Sequence, residues 1–223
     1  SSAASDVYKR QERNGVEMYD VYTGFKWIAN VMRENEGKKN YIGGGEESYG
    51  FLCEDFVRDK DAVSACVILA EIAAWAKDQG LSLYQLLQKI YVEYGFSKEK
   101  GISVVKKGKS GAEEIEAMMK KFRENPLTEI AGSKVTYFYD YSTLKGKDYA
   151  ENETVTLDMP TTSNVLQYFT EDNTKVSIRP SGTEPMIKFY CEVHSKVKSI
   201  DELPEAEKAA EEKINQIKAS LGI

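Results

Sequence analysis

The tightest constraint on the fold is a pair of alternating runs joined by a short, stiff connection. Before the connection, Thr174 to Ile178 alternates, with Val176 and Ile178 apolar. After it, Ile187, Phe189, Cys191 and Val193 alternate with Lys188, Tyr190, Glu192 and His194. Alternation of this kind marks half-buried strands. The joining loop, Arg179-Pro180-Ser181-Gly182-Thr183-Glu184-Pro185, carries one guanidinium, two hydroxyls, a Gly that permits close backbone approach, and two prolines that stiffen its ends. That set suits a phosphate dianion. Arg179 forks onto two oxygens, while Ser181, Thr183 and the backbone N–H groups of the turn add donors. A rigid hairpin connection with an incidental arginine is the other reading.

The chain has 223 residues, enough for one large domain or two of ordinary size. Its content, 41% hydrophobic and 30% charged, is that of a soluble globular protein. A net charge of −6, with no basic arm, argues against general nucleic-acid binding. Cys53, Cys66 and Cys191 lie far apart and show no metal-like spacing, which suits a reducing compartment. No apolar run is long enough to span a bilayer and none reads as a signal peptide, so a membrane partner is not expected and the expected location is cytoplasmic. The single histidine, His194, excludes His-rich metal sites; its place on the polar phase of a strand predicts a solvated side chain.

Three segments are expected. Residues 1–11 read as a non-native or disordered leader, since Asp6-Val7-Tyr8-Lys9-Arg10-Gln11 is what a transposon end used in library preparation encodes in one frame. Residues 12–95 read as an incomplete α/β domain. Val16, Met18 and Val21 predict a short strand, Phe25 to Met32 a helix closed by Gly37, and Tyr41-Ile42 a strand running into Gly43-Gly44-Gly45-Glu46-Glu47-Ser48-Tyr49-Gly50, where the glycines turn the chain. The strongest helix follows, capped by Asp59 or Asp61 and closed by Gly80. With two apolar faces it should be buried on more than one side. Ser82-x-x-Gln85 is a capping box for the next helix.

Residues 96–223 read as an α+β domain with an antiparallel sheet and helices packed on one face. Ile102, Val104 and Val105 suggest an edge strand, and Ser110-x-x-Glu113 a second capping box that opens a helix ending at Asn125-Pro126. Strands are expected at 134–141, 154–157, 164–169, 175–179 and 186–193, with a turn at Glu171-Asp172-Asn173-Thr174. The last helix should bury Leu203, Ala206, Ala210, Ile214, Ile217 and Leu221.

Two further groups carry chemistry. Glu46, Glu47 and Ser48 sit at the end of a strand in an α/β pattern, where ligands bind, and carboxylate with hydroxyl suits vicinal sugar hydroxyls, which both donate and accept. A solvated Gly-rich turn explains the same letters. Lys60 precedes a helix N-terminus, where the dipole disfavours a cation; it serves an anion, a proton transfer or a plain surface ion pair. No activated nucleophile and no closely spaced aspartates for a metal are evident.

Taken in order, Thr23-Gly24, Gly45-Glu46-Glu47-Ser48, Lys60-Asp61 and Arg179-Pro180-Ser181-Gly182-Thr183-Glu184-Pro185 make residues 12–223 resemble the C-terminal part of the α-D-phosphohexomutases, most closely the bacterial phosphoglucomutases. The resemblance implies a truncated third domain followed by the fourth. It implies that Glu46 and Ser48 hold sugar hydroxyls, that Thr23 and Gly24 line the same site, and that Lys60 is a general acid/base or ion partner of the transferring phosphoryl. Arg179, Ser181, Gly182 and Thr183 would grip the non-reacting phosphate.

In the family a phosphoserine donates to the free hydroxyl of a hexose phosphate, and a hexose 1,6-bisphosphate forms, reorients and returns its other phosphate. Mg²⁺ and glucose 1,6-bisphosphate are the cofactors implied for the full-length enzyme. The chain lacks a Ser-His-Asn-Pro motif and a D-G-D metal loop, so it is expected to be inactive alone, to bind no metal, and to depend on the missing N-terminal domains. A stand-alone phosphosugar- or anion-binding module is the alternative. The loop reads Glu46-Glu47-Ser48-Tyr49-Gly50, without the histidine of the dual phosphomannomutase type, which favours glucose over mannose or pentose.

Overall fold

A computed structural model describes residues 13–46, 49–106, 108–182 and 184–223, apart from the side chain of Lys109. The proposed leader, Glu47, Ser48 and Thr183 lie outside the described residues. The chain divides into two compact units, one ending at Tyr94 and the other beginning at Gly95.

In the first unit, helix α1 (Phe25–Glu34) packs Phe25 and Met32 against Leu52, with Ile28 and Tyr41 at the margin. Leu52 belongs to β2 (Phe51–Cys53), which pairs antiparallel with β1 (Gly43–Gly45) in the register Gly43↔Cys53 and Gly45↔Phe51. The glycines therefore form a strand and not the turn expected of them. The turn is Glu46 to Gly50, closed by the Glu46 N–H to the Gly50 carbonyl at 2.8 Å. The expected strand at 16–21 is not formed: it pairs with no strand among the described residues. Alternation predicts a strand's faces, whereas a strand exists only where a neighbour takes its hydrogen bonds.

Helix α2 (Ala62–Asp78) starts as expected, with the Asp61 carboxylate accepting the Ser64 N–H at 2.7 Å. It ends in a Schellman turn: Gly80, at φ 70°, donates to Lys77 and Leu81 to Ala76, each at 2.9 Å. Helix α3 (Leu83–Tyr94) opens on the predicted reciprocal box, the Ser82 N–H to Gln85 Oε1 at 2.8 Å and the Gln85 N–H to Ser82 Oγ at 3.2 Å. The expected burial of α2 on two sides is not found. Ala76 is buried, yet Val63 is 73% exposed and Trp75 55%, because the short hairpin covers one strip of a helix that is apolar nearly all round.

The second unit is built on an eight-stranded antiparallel sheet. Its strands are β3 (Phe96–Val105), β4 (Glu129–Ile130), β5 (Ser133–Asp140), β6 (Lys145–Asp148), β7 (Glu153–Thr156), β8 (Leu166–Thr170), β9 (Lys175–Pro180) and β10 (Met186–Ser195). They run β3-β10-β9-β8-β5-β6-β7, with β4 on β5. The edge strand foreseen at 102–105 is real but ten residues long, paired along all of β10. Strands β4 and β6 lack apolar alternation and were not expected.

Helix α4 (Gly108–Glu124) begins two residues before the predicted cap at Ser110, which lies in its first turn. Helix α5 (Leu203–Leu221) buries Leu203, Ala210, Ile214, Ile217 and Leu221, while Ala206 is only half-buried. Both helices pack on β10. The Phe122 and Phe189 rings meet edge-on at 6.2 Å, and the Tyr168 hydroxyl donates to the Phe122 carbonyl at 3.0 Å. On that face Leu166, Val176, Ile178, Ile187, Phe189 and Cys191 are fully buried. Burial pushes the Cys191 thiol up to about 11, although Lys218 pulls the other way, so it is an inert apolar residue at neutral pH.

His194 departs from expectation. It is 10% exposed and its Nε2 lies 2.8 Å from Oε1 of the fully buried Glu192. Residues two apart on a strand share a face, so the polar phase supplies its own partner.

The β8–β9 turn is pinned by Asp172, whose carboxylate accepts from Thr170 Oγ1 at 2.7 Å and the Thr174 N–H at 3.2 Å and pairs with Lys213 of α5. Partial burial raises the Asp172 pKa, but Lys213 and the threonine donors outweigh it and hold the group at about 2. A carboxylate depressed by folding stabilises fully above its unfolded pKa and loses that contribution as pH falls through the folded value. Between about pH 4 and 2 the turn should loosen. A ¹³C carboxyl titration should place the Asp172 midpoint near 2, and a midpoint near 4 would remove the anchor.

Candidate functional site

The first unit gathers the predicted residues Gly24, Glu46 and Lys60. The Gly24 N–H donates to Glu46 Oε1 at 2.9 Å, at the start of α1, so the carboxylate sits on a helix N-terminus, where negative charge is favoured. The carboxylate lies at the end of β1, held by the Glu46 N–H to Gly50 carbonyl bond. Thr23 and Glu46 also line a cavity of about 680 Å³, together with Ile28, Met32, Tyr41 and Gly44.

Lys60 reaches the same place from the other side. The Asp61 N–H donates to the Phe51 carbonyl at 2.9 Å, which ties the start of α2 to the hairpin and fixes the residue before it. Lys60 Nζ is 3.2 Å from Asp59 Oδ1 and 6.0 Å from the centre of the Phe25 ring. Its stem runs alongside Gly50, as does Glu46 Oε2. Asp61 was expected as a cap; its second role, holding Lys60 to the sheet, shows only in the fold. The backbone N–H of Ser64 is the main donor that keeps the Asp61 carboxyl below its usual range.

In the second unit, Arg179 and Pro180 belong to β9, so the loop proper is 181–185 and the arginine stands on a strand. Its cross-strand partner is Lys188, giving two cations on one rung. By alternation both are on the face opposite the helices, in phase with Lys175 and Ser177. Sequence reasoning placed Lys188 on the polar phase without seeing that register would set it beside Arg179.

Backbone and hydroxyl bonds tie the described residues of the loop. The Ser181 N–H donates to the Met186 carbonyl at 2.8 Å, the Glu184 N–H to Ser181 Oγ at 3.2 Å, and the Lys106 N–H to the Pro185 carbonyl at 2.9 Å. Gly182 meets no internal crowding, for an added Cβ would find no atom within 4 Å. The close approach expected at this glycine is therefore not made by the rest of the unit. Among the described residues no three His, Cys, Asp or Glu side chains group to hold a metal ion.

Two models of one family match the chain: "Phosphoglucomutase/phosphomannomutase, alpha/beta/alpha domain III" over residues 2–94, and "Phosphoglucomutase/phosphomannomutase, C-terminal domain" over residues 103–210. The chain belongs to the phosphoglucomutase/phosphomannomutase family. It is 36% identical over 195 residues to the phosphoglucomutase of Staphylococcus haemolyticus strain JCSC1435, covering 87% of this chain and 35% of that protein. It is 39% identical over 191 residues to the phosphoglucomutase of Staphylococcus aureus strain MRSA252, covering 85% and 34%. The chain thus spans about a third of the length of the curated relatives it matches. Among solved structures its fold is similar to the open form of pp63/parafusin, a Paramecium phosphoglucomutase, with a TM-score of 0.55 at 20% identity over 86% of this chain and 32% of that one. No helix among the described residues is long and apolar enough to cross a membrane.

The capping role of Asp61 is open to a direct test. Asp61→Ala should cost about 1 kcal/mol, the usual loss of an N-cap, measured by urea unfolding. It should also raise the exchange rate of the Ser64 amide, while the Ser82 amide of the next capping box is unchanged.

Proposed function

We propose that this chain is the substrate-recognition half of a phosphoglucomutase that interconverts glucose 1-phosphate and glucose 6-phosphate through a bisphosphate. The observation that carries the reading is the Arg179–Lys188 rung at the root of a tied loop whose glycine has open space around it. Two cations beside accessible backbone match a phosphate dianion in charge, and a guanidinium fork matches it in geometry. Ser181, Gly182 and Thr183 complete the grip.

Sugar hydroxyls fall to the other unit. Glu46 keeps Oε1 on the Gly24 N–H and offers Oε2 to a hydroxyl proton, while the Lys60 ammonium donates to a hydroxyl oxygen or to phosphate. Ser48, Thr23 and Gly24 belong to the same site in this reading. These groups bind and orient, and proton movement rests with Lys60; positioning and charge neutralisation are what phosphoryl transfer asks of a protein.

The seryl phosphate, and the Mg²⁺ that would neutralise developing charge, belong to domains outside this sequence, and glucose 1,6-bisphosphate would be the activating cofactor of the whole enzyme. A hexose phosphate and those N-terminal domains are then the partners, with glucose favoured, and the cytoplasm is where such substrates and three free thiols are at home.

Inorganic phosphate should bind the full chain, and Arg179→Ala should weaken it by about 1.5–3 kcal/mol, the scale of a charge-assisted hydrogen bond. Isothermal titration measures this. Equal binding by wild type and variant would remove the loop from the site.

A further inference from the structure

Gly50 closes the Glu46–Gly50 turn, and its backbone does not demand glycine, since it is not among the residues of positive φ. What demands glycine is space. A Cβ built on Gly50 would stand 2.8 Å from Glu46 Oε2 and 2.9 Å from Lys60 Cδ, closer than real Cβ atoms come to any neighbour. The carboxylate and the lysine stem thus meet over a bare α-carbon.

Both groups are already restrained elsewhere. Glu46 Oε1 takes the Gly24 N–H, and Lys60 is held between Asp59 and the Asp61 N–H bond to Phe51. What a Cβ would strike is the far part of two flexible side chains and not backbone. A methyl group here should therefore leave the fold in place and move the two functional groups.

We propose that Gly50 is a positioning residue for sugar recognition, acting by letting Glu46 and Lys60 converge; this rests on the reading of Glu46 as the hydroxyl acceptor. A sugar hydroxyl donates one proton and accepts others, so a carboxylate and a lysine whose side chains pass the same α-carbon together fix its direction. Side chains pushed apart still bind a hydroxyl singly but no longer orient it. Substitution at Gly50 acts on hydroxyl recognition and leaves phosphate capture by Arg179 untouched.

The test uses the full chain with Gly50→Ala and Gly50→Val. Without ligand, the Gly24 amide resonance, which reports its bond to Glu46, should shift in both variants, and more in Gly50→Val. The melting temperature of Gly50→Ala should change by less than about 4 °C, a stability loss under about 1 kcal/mol. Glucose 1-phosphate should bind at least about fivefold more weakly to Gly50→Ala, the equivalent of roughly one kcal/mol, while inorganic phosphate binds as in wild type. An unmoved Gly24 amide, or equal glucose 1-phosphate affinity in wild type and Gly50→Ala, overturns the inference. If wild-type chain binds phosphate yet glucose 1-phosphate never perturbs Gly24 or Glu46, the sugar-site reading falls and this inference falls with it. Failure of wild type to bind phosphate at Arg179 strikes the phosphate reading alone, because the Gly24 measurement stands without it.

Discussion

Strand β10 is paired along both edges, with β3 over its whole length and with β9 up to Pro180, and one face is covered by α4 and α5. A strand so placed has no freedom to slip, because a one-residue shift would turn Ile187, Phe189 and Cys191 out of the core and Lys188 and Glu192 into it. Register along β10 therefore sets which residues stand at the mouth of the 181–185 loop. It places Lys188 across from Arg179, and the Lys106–Pro185 bond holds the far limb of the loop to the end of β3. Side chains on paired strands need little further ordering should a ligand arrive, which preserves the affinity that mobile side chains would lose.

The first unit reaches the same end by different means. Its described sheet is a single hairpin, too small to be stable alone, and its site is built from ties between elements: Gly24 to Glu46, Asp61 to Phe51, Glu46 to Gly50. Each tie satisfies a backbone group at a helix start or a turn and also positions a side chain of the candidate site. Cap and site share residues here, so a stability change in one is felt in the other.

Much of this was legible in the residues. The β9–loop–β10 hairpin, the α3 capping box, the Asp61 cap and the α5 stripe follow from periodicity and side-chain chemistry that act over a few residues. What was not legible depends on distant neighbours. Strand β6, with the letters Lys145-Gly146-Lys147-Asp148, is made by its pairing with β5 and β7. The exposure of Val63, Val67 and Trp75 on α2 reflects how little sheet lies beneath that helix, which its own apolar pattern does not reveal. Likewise, Gly50 looked like turn punctuation, and only the approach of Glu46 and Lys60 gives it a reason.

We propose that Gly24, Glu46 and Lys60 of the first unit take sugar hydroxyls and that Arg179 and Lys188 of the second take phosphate. The most direct test is a ¹H–¹⁵N titration of the full chain with glucose 1,6-bisphosphate, followed long enough to detect turnover. The account predicts shifts confined to two clusters, Gly24, Glu46, Gly50 and Lys60 in one and Arg179, Ser181, Gly182 and Lys188 in the other, with the ligand recovered intact. Shifts centred elsewhere, or conversion of the ligand by this chain alone, would contradict it.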